Sequence, residues 1–291
     1  MRDWDQSAKS VLAMVWAAIS FGVMAAFVKL ASKSISSIEV VFFRSILGSI
    51  MIAVMIWKKR VSWIGKNPMV MILRGISGFA ALSTHFYAIS KLNLGTAVML
   101  NYTAPIFVVI FANALLQERI TWIVKTAIFI SFFGLYLLTA PQFEAKPIPI
   151  LVGIVSGISA AVAYVMIRFT SDEDSPYTII FYFTMISTIG SVPLLKLGFH
   201  WPNLFEWISL LGVTISAFFG QVWLTKSIQS APVSFVLPFS YLTPVFAAIL
   251  GAVFWKEYLG IWALIGGLMI IVSGIIIYVF REKTPFIPLE E

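Results

Sequence analysis

Residues 97–120 read AVMLNYTAPIFVVIFANALLQERI. Almost every position is apolar, yet Asn101, Tyr102, Thr103 and Pro105 stand together inside the stretch. An amide, a phenol and a helix-breaking ring are costly in such surroundings unless protein or water receives them. The rest of the chain settles what the surroundings are. Of 291 residues, 60% are hydrophobic and 11% charged, against roughly 25% charged in a soluble domain. Mean hydropathy is +0.95. The chain has too little polar surface to cover itself in water, so it faces lipid.

Each crossing of a bilayer takes roughly 20 apolar residues, and ten such segments can be marked out. They lie at 10–32, 37–57, 69–89, 94–115, 121–139, 148–169, 177–195, 205–226, 232–254 and 260–280. Turn or charge signals such as KKRVSWIGKNP, QERIT, SDEDSP and KLGFHWPN separate them. The fold class expected is therefore an all-α membrane protein of ten transmembrane helices. The first segment has no A-x-A-like cleavage site ahead of it, so it reads as a retained helix rather than a removed signal peptide.

Lysine and arginine orient the bundle. With the N-terminus inside, the inner side holds Arg2, Lys9, Lys58, Lys59, Arg60, Lys66, Arg74, Arg119, Lys125, Arg168, Lys226, Arg281 and Lys283. The outer side holds Lys29, Lys33, Lys91, Lys146, Lys196 and Lys256. The excess puts both termini in the cytoplasm, and it explains the net charge of +7 without a nucleic-acid partner.

A shift of 139 residues lays the chain on itself. Tyr102 meets Tyr241, Pro105 meets Pro244, Phe107 meets Phe246, Ile110 meets Ile249 and Glu118 meets Glu257; Ser20 meets Ser159, Phe42 meets Phe181 and Lys29 meets Arg168. Apolar matches are cheap in this composition, but the Tyr–Pro–Glu spacing is not. Each half holds five spans, and an odd number forces the halves into opposite orientations. Two inverted five-helix repeats, 10–139 and 148–282, are expected, with a solute site near the midplane.

That repeat gives the opening stretch a role. Pro105 has no amide hydrogen, so the Asn101 carbonyl loses its helical partner, and Pro244 does the same to Ser240. Both carbonyls lie about 12 Å into the membrane from their own sides at ~1.5 Å per residue. Tyr102 and Tyr241 are expected on opposite sides of one central cavity beside these kinks.

The run LNLGTAVMLNYTAPIFVVIFANALLQERIT, followed by a glycine-containing apolar span, resembles the EamA family of the drug/metabolite transporter superfamily. Glu118–Arg119 matches that family's Glu-Arg after the fourth helix; the second half keeps Glu257 but reads Lys256–Glu257–Tyr258. FFRSILGS and ILRGISGFAAL are similar to the family's second and third helices. The resemblance covers about residues 10 to 282. It implies a multi-pass carrier of organic metabolites in the bacterial inner membrane, working by alternating access. It also implies that helices one, three, four, six, eight and nine line the cavity while five and ten pack at the periphery.

Within the spans, Arg44 is an intramembrane cation and so a candidate site residue; the alternatives are snorkelling or pairing with Glu39. Arg74 could instead reach the cytoplasmic edge. His85 could carry a proton or serve as a structural histidine. Phe218, Gln221 and Trp223 lie on the eighth helix and Tyr164 on the sixth; Trp223 could instead belong to an interfacial belt. Substrate-binding candidates are thus Asn101, Tyr102, Ser240, Tyr241, Arg44, Arg74, His85, Tyr164, Phe218, Gln221 and Trp223. Lys29 and Arg168, at helix ends, read as anchors.

No carboxylate lies deep in a span; Glu39, Glu118, Glu206 and Glu257 sit near helix ends. Exchange or facilitated transport is therefore more attractive than a carboxylate proton relay. The chain has no cysteine, no H-E-x-x-H run and no phosphate-binding glycine loop. No enzyme, cofactor or metal is expected. The partners expected are a small organic solute and membrane lipid, with the protein a monomer or homodimer. Aromatics, hydroxyls, an amide and two cations suit an amino acid or related zwitterion. FFR and LRG are also similar to S-adenosylmethionine carriers of the same superfamily, which makes uptake of that sulfonium compound the alternative. A channel or a non-transporting scaffold is the other class.

Overall fold

The computed structural model describes residues 2–92, 94–118, 120–140, 147–170, 174–256 and 259–280. Arg119, Glu257, Tyr258, Lys146, Arg281 and Lys283 lie outside these residues. Among the described residues ten helical spans are long and apolar enough to cross a bilayer: α1 Gln6–Ala31, α2 Ser37–Lys59, α3 Pro68–Ile89, α4 Thr96–Leu115, α5 Trp122–Thr139, α6 Pro147–Phe169, α7 Pro176–Lys196, α8 Leu204–Ser230, α9 Val233–Trp255 and α10 Ile261–Val279. Two differ notably from expectation. The first helix begins at Arg2, and α8 runs to Ser230 because Lys226 and Gln229 continue it past the apolar stretch.

Local chemistry sets the ends. Ser36 with Glu39 and Asn203 with Glu206 form capping boxes at the starts of α2 and α8, each satisfying two orphan amides. Pro68 and Pro176 stand in the first turns of α3 and α7, where proline costs no hydrogen bond.

Short connections make successive spans antiparallel, so alternate ends meet on two faces. On the face that carries the start of α1 and the end of α10, one large cluster joins every span but α2. Met14, Met71, Val108, Leu116, Val165, Ile228, Leu237 and Ile277 belong to it, and Ile52, Ile56, Ile180, Phe218 and Val222 form a second cluster around the end of α2. The opposite face is divided. Ala31, Val40, Phe43 and Leu210 join α1, α2 and α8. Ala88, Ala97 and Leu100, with Ile150 and Ile154, join α3, α4 and α6. The packing is two-fold in its pairings: α1 lies on α8 and α3 on α6, α1 on α9 and α4 on α6, α2 on α7, and α5 on α10.

The α5–α10 contact is peripheral. Gly134 and Gly266 bring the two backbones together, and Ser131 hydrogen-bonds Ser273 across it. The outer sides of both helices expose large apolar groups, such as Phe129 and Trp262.

The two spans that carry Pro105 and Pro244 are both broken. In α4 the helix stops at Asn101 and restarts at Ala104. In α9 residues Leu237–Tyr241 form a 3-10 turn before the helix resumes at Leu242. That second break involves Pro238, which has no counterpart 139 residues earlier, where Met99 stands.

Candidate functional site

A cavity of about 240 Å³ lies at the centre, lined from eight spans. These are α1 to α4 and α6 to α9, so α2 and α7 join the six helices expected and α5 and α10 contribute nothing. The first-half lining includes Phe21, Met24, Ala25, Arg44, Arg74, Leu82, His85, Asn101 and Tyr102. Ala160, Ala163, Tyr164, Phe183, Gln221, Thr243 and Pro244 face them from the second half. Five pairs of these are 139 residues apart: Phe21 with Ala160, Met24 with Ala163, Ala25 with Tyr164, Arg44 with Phe183 and Leu82 with Gln221. In the last three pairs one member is a cation, an amide or a phenol and the other is apolar. The cavity has repeat-related walls with unlike chemistry.

The two arginines dominate the charge. Arg44 is 8% exposed and Arg74 3%. Arg44 does not pair with Glu39, which receives the His200 backbone amide at 2.7 Å and approaches the His200 ring at 3.2 Å instead. Arg74 does not reach back to the membrane edge. Its guanidinium lies 4.4 Å from the centre of the Phe183 ring, with that of Arg44 at 5.9 Å from the same ring. Stacking on an aromatic face holds a planar cation while keeping it inside the protein. Arg74 Nη2 also donates to Gln221 Oε1 at 3.3 Å. The Nε atoms of both arginines are buried and unpartnered. Among the described residues no Asp or Glu lines the cavity.

Gly78 makes this packing possible. A Cβ built there would stand 2.8 and 2.9 Å from Phe183 ring carbons and closer still to Arg74 Nη1. Towards the divided face the cavity reaches His85, whose buried Nδ1 has no partner.

The NYTAP break is supported by α6. Asn101 Nδ2 donates to Ser156 Oγ at 3.2 Å, and Ser156 Oγ donates to the Gly153 carbonyl at 2.6 Å. Gly157 leaves room for the Leu100 and Asn101 carbonyls, which a Cβ would meet at 2.9 and 3.2 Å. The carbonyl freed by Pro105 therefore lies against protein, as a bare one in lipid could not. Tyr102 lines the cavity and hydrogen-bonds Thr243.

Tyr241 departs from expectation. It does not face Tyr102 across open space. The rings touch, with centroids 6.0 Å apart. Tyr241 is fully buried behind the wall, and its hydroxyl donates to the Tyr102 carbonyl at 3.0 Å. The 3-10 turn around Pro238 is the cause. Three residues per turn rotate a side chain differently from the 3.6 of an α-helix, so repeat-related tyrosines leave their helices in different directions. Ser240 is likewise outside the lining. Trp223 packs against the large apolar cluster with Lys226 5.0 Å over its ring. Phe218 borders a separate small void beside Arg44 and Gln221. The end-of-helix cations act as anchors: Lys29 sits 4.9 Å over Trp255, and Arg168 donates to the Gln229 carbonyl at 2.7 Å.

Glu118 is more than a loop charge. Its carboxylate accepts from the backbone amides of Val233 and Ser234 at 3.0 and 3.1 Å and from the Ser234 hydroxyl. A residue after α4 thereby caps α9. Phe183 escaped the sequence reading. The 139-residue shift carries Arg44 onto Phe183 and was the signal available.

The EamA-like transporter family matches residues 8–140 and again residues 147–279. The chain belongs to that family. It is a member of the drug/metabolite transporter class rather than an enzyme. A pseudopaline exporter, CntI, from Pseudomonas aeruginosa strain UCBPP-PA14 is 32% identical over 93% of this chain and 96% of its own. An uncharacterized transporter of Helicobacter pylori strain 26695 is 29% identical over 89% of this chain and 91% of its own. The S-adenosylmethionine uptake transporter of Rickettsia prowazekii is 25% identical over 85% and 84%. A solved crystal structure at 16% identity superposes with a TM-score of 0.83 over 95% of this chain and 98% of that one, which shows the shared fold.

Proposed function

We propose that the chain is a secondary carrier for a small organic solute bearing a carboxylate, an amino acid or related zwitterion being the first class. The observation that carries this reading is the Arg44–Arg74 pair: two buried guanidiniums stacked on Phe183, with unpartnered Nε atoms, in a cavity whose lining holds no carboxylate. Guanidinium is the side chain best matched to a planar carboxylate. The volume of about 240 Å³ falls below the roughly 300–1,000 Å³ of sites for drug-sized ligands, in keeping with a small metabolite. Asn101, Tyr102, Tyr164, Gln221 and His85 are the polar groups that would orient it.

Two inverted five-helix halves, 10–139 and 148–282, supply the alternating access. The large apolar cluster that joins nine spans on the termini face, against the small clusters opposite, supports a carrier open away from its termini. The lysine and arginine excess supports cytoplasmic termini, as expected of a carrier in the bacterial inner membrane. The S-adenosylmethionine uptake carriers among the relatives favour a second reading. Such a solute also carries a carboxylate, and its sulfonium would need an aromatic face away from the arginines.

The experiment is uptake of a labelled metabolite panel into vesicles that hold the purified protein. Saturable entry of carboxylate-bearing solutes is expected, and Arg44→Gln should reduce entry per folded molecule. Unsaturating flux, or preference for solutes without a carboxylate, would discard the reading. Cysteine placed in the 60–67 connection should be shielded from external label; labelling from outside would invert the topology.

A further inference from the structure

We infer that the carrier is an obligate exchanger, able to reorient only when a solute brings negative charge to the Arg44–Arg74 end of the cavity. The inference rests on the reading of that pair as the solute's carboxylate site. Among the described residues every charged group that lines the cavity is a cation, and both come from the first half. Their second-half counterparts are Phe183 and Val213, which carry no charge.

While the cavity is open to one side, solvent entering it would lower the cost of two adjacent guanidiniums in the empty protein. Alternating access must pass through a state sealed from both sides. Sealing the cavity empty takes both cations out of water with no anion beside them, and an uncompensated buried charge is strongly unfavourable. Phe183 offers only its ring face and Gln221 a neutral amide oxygen; neither cancels a full charge. A bound carboxylate would do so, and a second carboxylate on the same solute would complete the balance. The loaded carrier then crosses more easily than the empty one. A carrier with that property swaps one solute for another and does not return empty. His85, with its unpartnered Nδ1, is the remaining titratable group on the wall that is not a phenol, and as a neutral ring it adds no compensating charge.

The test uses vesicles that hold the full-length protein, loaded with unlabelled glutamate, with unlabelled succinate or with neutral sucrose. Labelled glutamate and succinate are supplied outside. Uptake into solute-loaded vesicles should exceed uptake into sucrose-loaded vesicles by about tenfold or more, the factor that a barrier difference of about 1.4 kcal/mol sets. Arg74→Gln removes one of the two charges, so its loaded-to-empty ratio should fall towards one while its melting temperature reports that it is folded. Should that variant fail to fold, the wild-type ratio decides alone. Saturable uptake at equal rates in loaded and sucrose-filled vesicles would overturn obligate exchange and leave the carboxylate site standing. No uptake of either solute, together with no rise in melting temperature with either, would overturn the carboxylate site and the exchange with it.

Discussion

Gly78→Ala should disable the arginine shelf through one methyl group. The added carbon would lie 2.8 and 2.9 Å from Phe183 and nearer still to Arg74 Nη1. It is fixed to the α3 backbone, so Arg74 has to move. Displacing the guanidinium loses its stacking, about 1–2 kcal/mol when desolvated, and the hydrogen bond to Gln221, about 1.5 kcal/mol for a charged donor at that length. Strain on Phe183 adds about 1 kcal/mol or more. Alanine's better helix propensity returns about 1 kcal/mol. The net loss is about 2–4 kcal/mol. Gly267 on α10 is the control, because a Cβ there meets only Val245 Cγ1 at 3.9 Å. Gly267→Ala should stabilise by about 0.5–1 kcal/mol. At roughly 2–4 °C per kcal/mol, the two variants should melt at least 5 °C apart in detergent. In an Arg74→Ala background part of the Gly78→Ala cost should vanish, since only Phe183 is left to clash. A Gly78→Ala protein melting at or above the wild type would refute the packing account.

Three further outcomes are expected. Glu118→Ala should cost about 2–4 kcal/mol by stripping charge-assisted bonds from the start of α9, with Glu118→Gln intermediate in thermal melts; an alanine variant as stable as wild type would mean water replaces the cap. Tyr241→Phe leaves the Tyr102 carbonyl without its donor, a loss of about 1–3 kcal/mol, and an unchanged melting temperature would point to another partner for that carbonyl. His200 lies between Glu206 and Glu39, and the hydrogen bond its ring donates to the Glu206 carboxylate, foremost, raises its pKa above the usual imidazole value. Its clamp therefore stabilises fully below about pH 6.5 and fades as pH rises through the raised value. Melting curves across that range should slope downward in the wild type and flatten in His200→Gln, and a flat wild-type profile would contradict the clamp.

The ten spans could be read from the sequence because lipid leaves a chain few alternatives. Arg44 and Arg74 could be singled out for the same reason, as a cation in an apolar run demands shelter. Their direction could not be read. A helix starting at Pro68 can turn Arg74 inward or let it reach back to the edge, and only the room at Gly78 and the ring of Phe183 decide between these. The repeat set Tyr102 and Tyr241 on opposite sides of one cavity. It could not foresee their contact, because Pro238 alters the winding of one half alone. Glu118 illustrates the same limit: its place after α4 was plain, but its attachment to Val233 depends on a contact made across 115 positions of sequence.

That attachment bears on how the protein is made. Glu118 enters the membrane edge long before Val233 is synthesised, and until then its carboxylate must remain hydrated. The ninth helix then arrives at a cap already in place. An isolated first half would keep that acceptor unfilled, and an isolated second half would start α9 with two bare amides. Separately expressed halves should therefore accumulate far better together than apart, as fragments that complete one another.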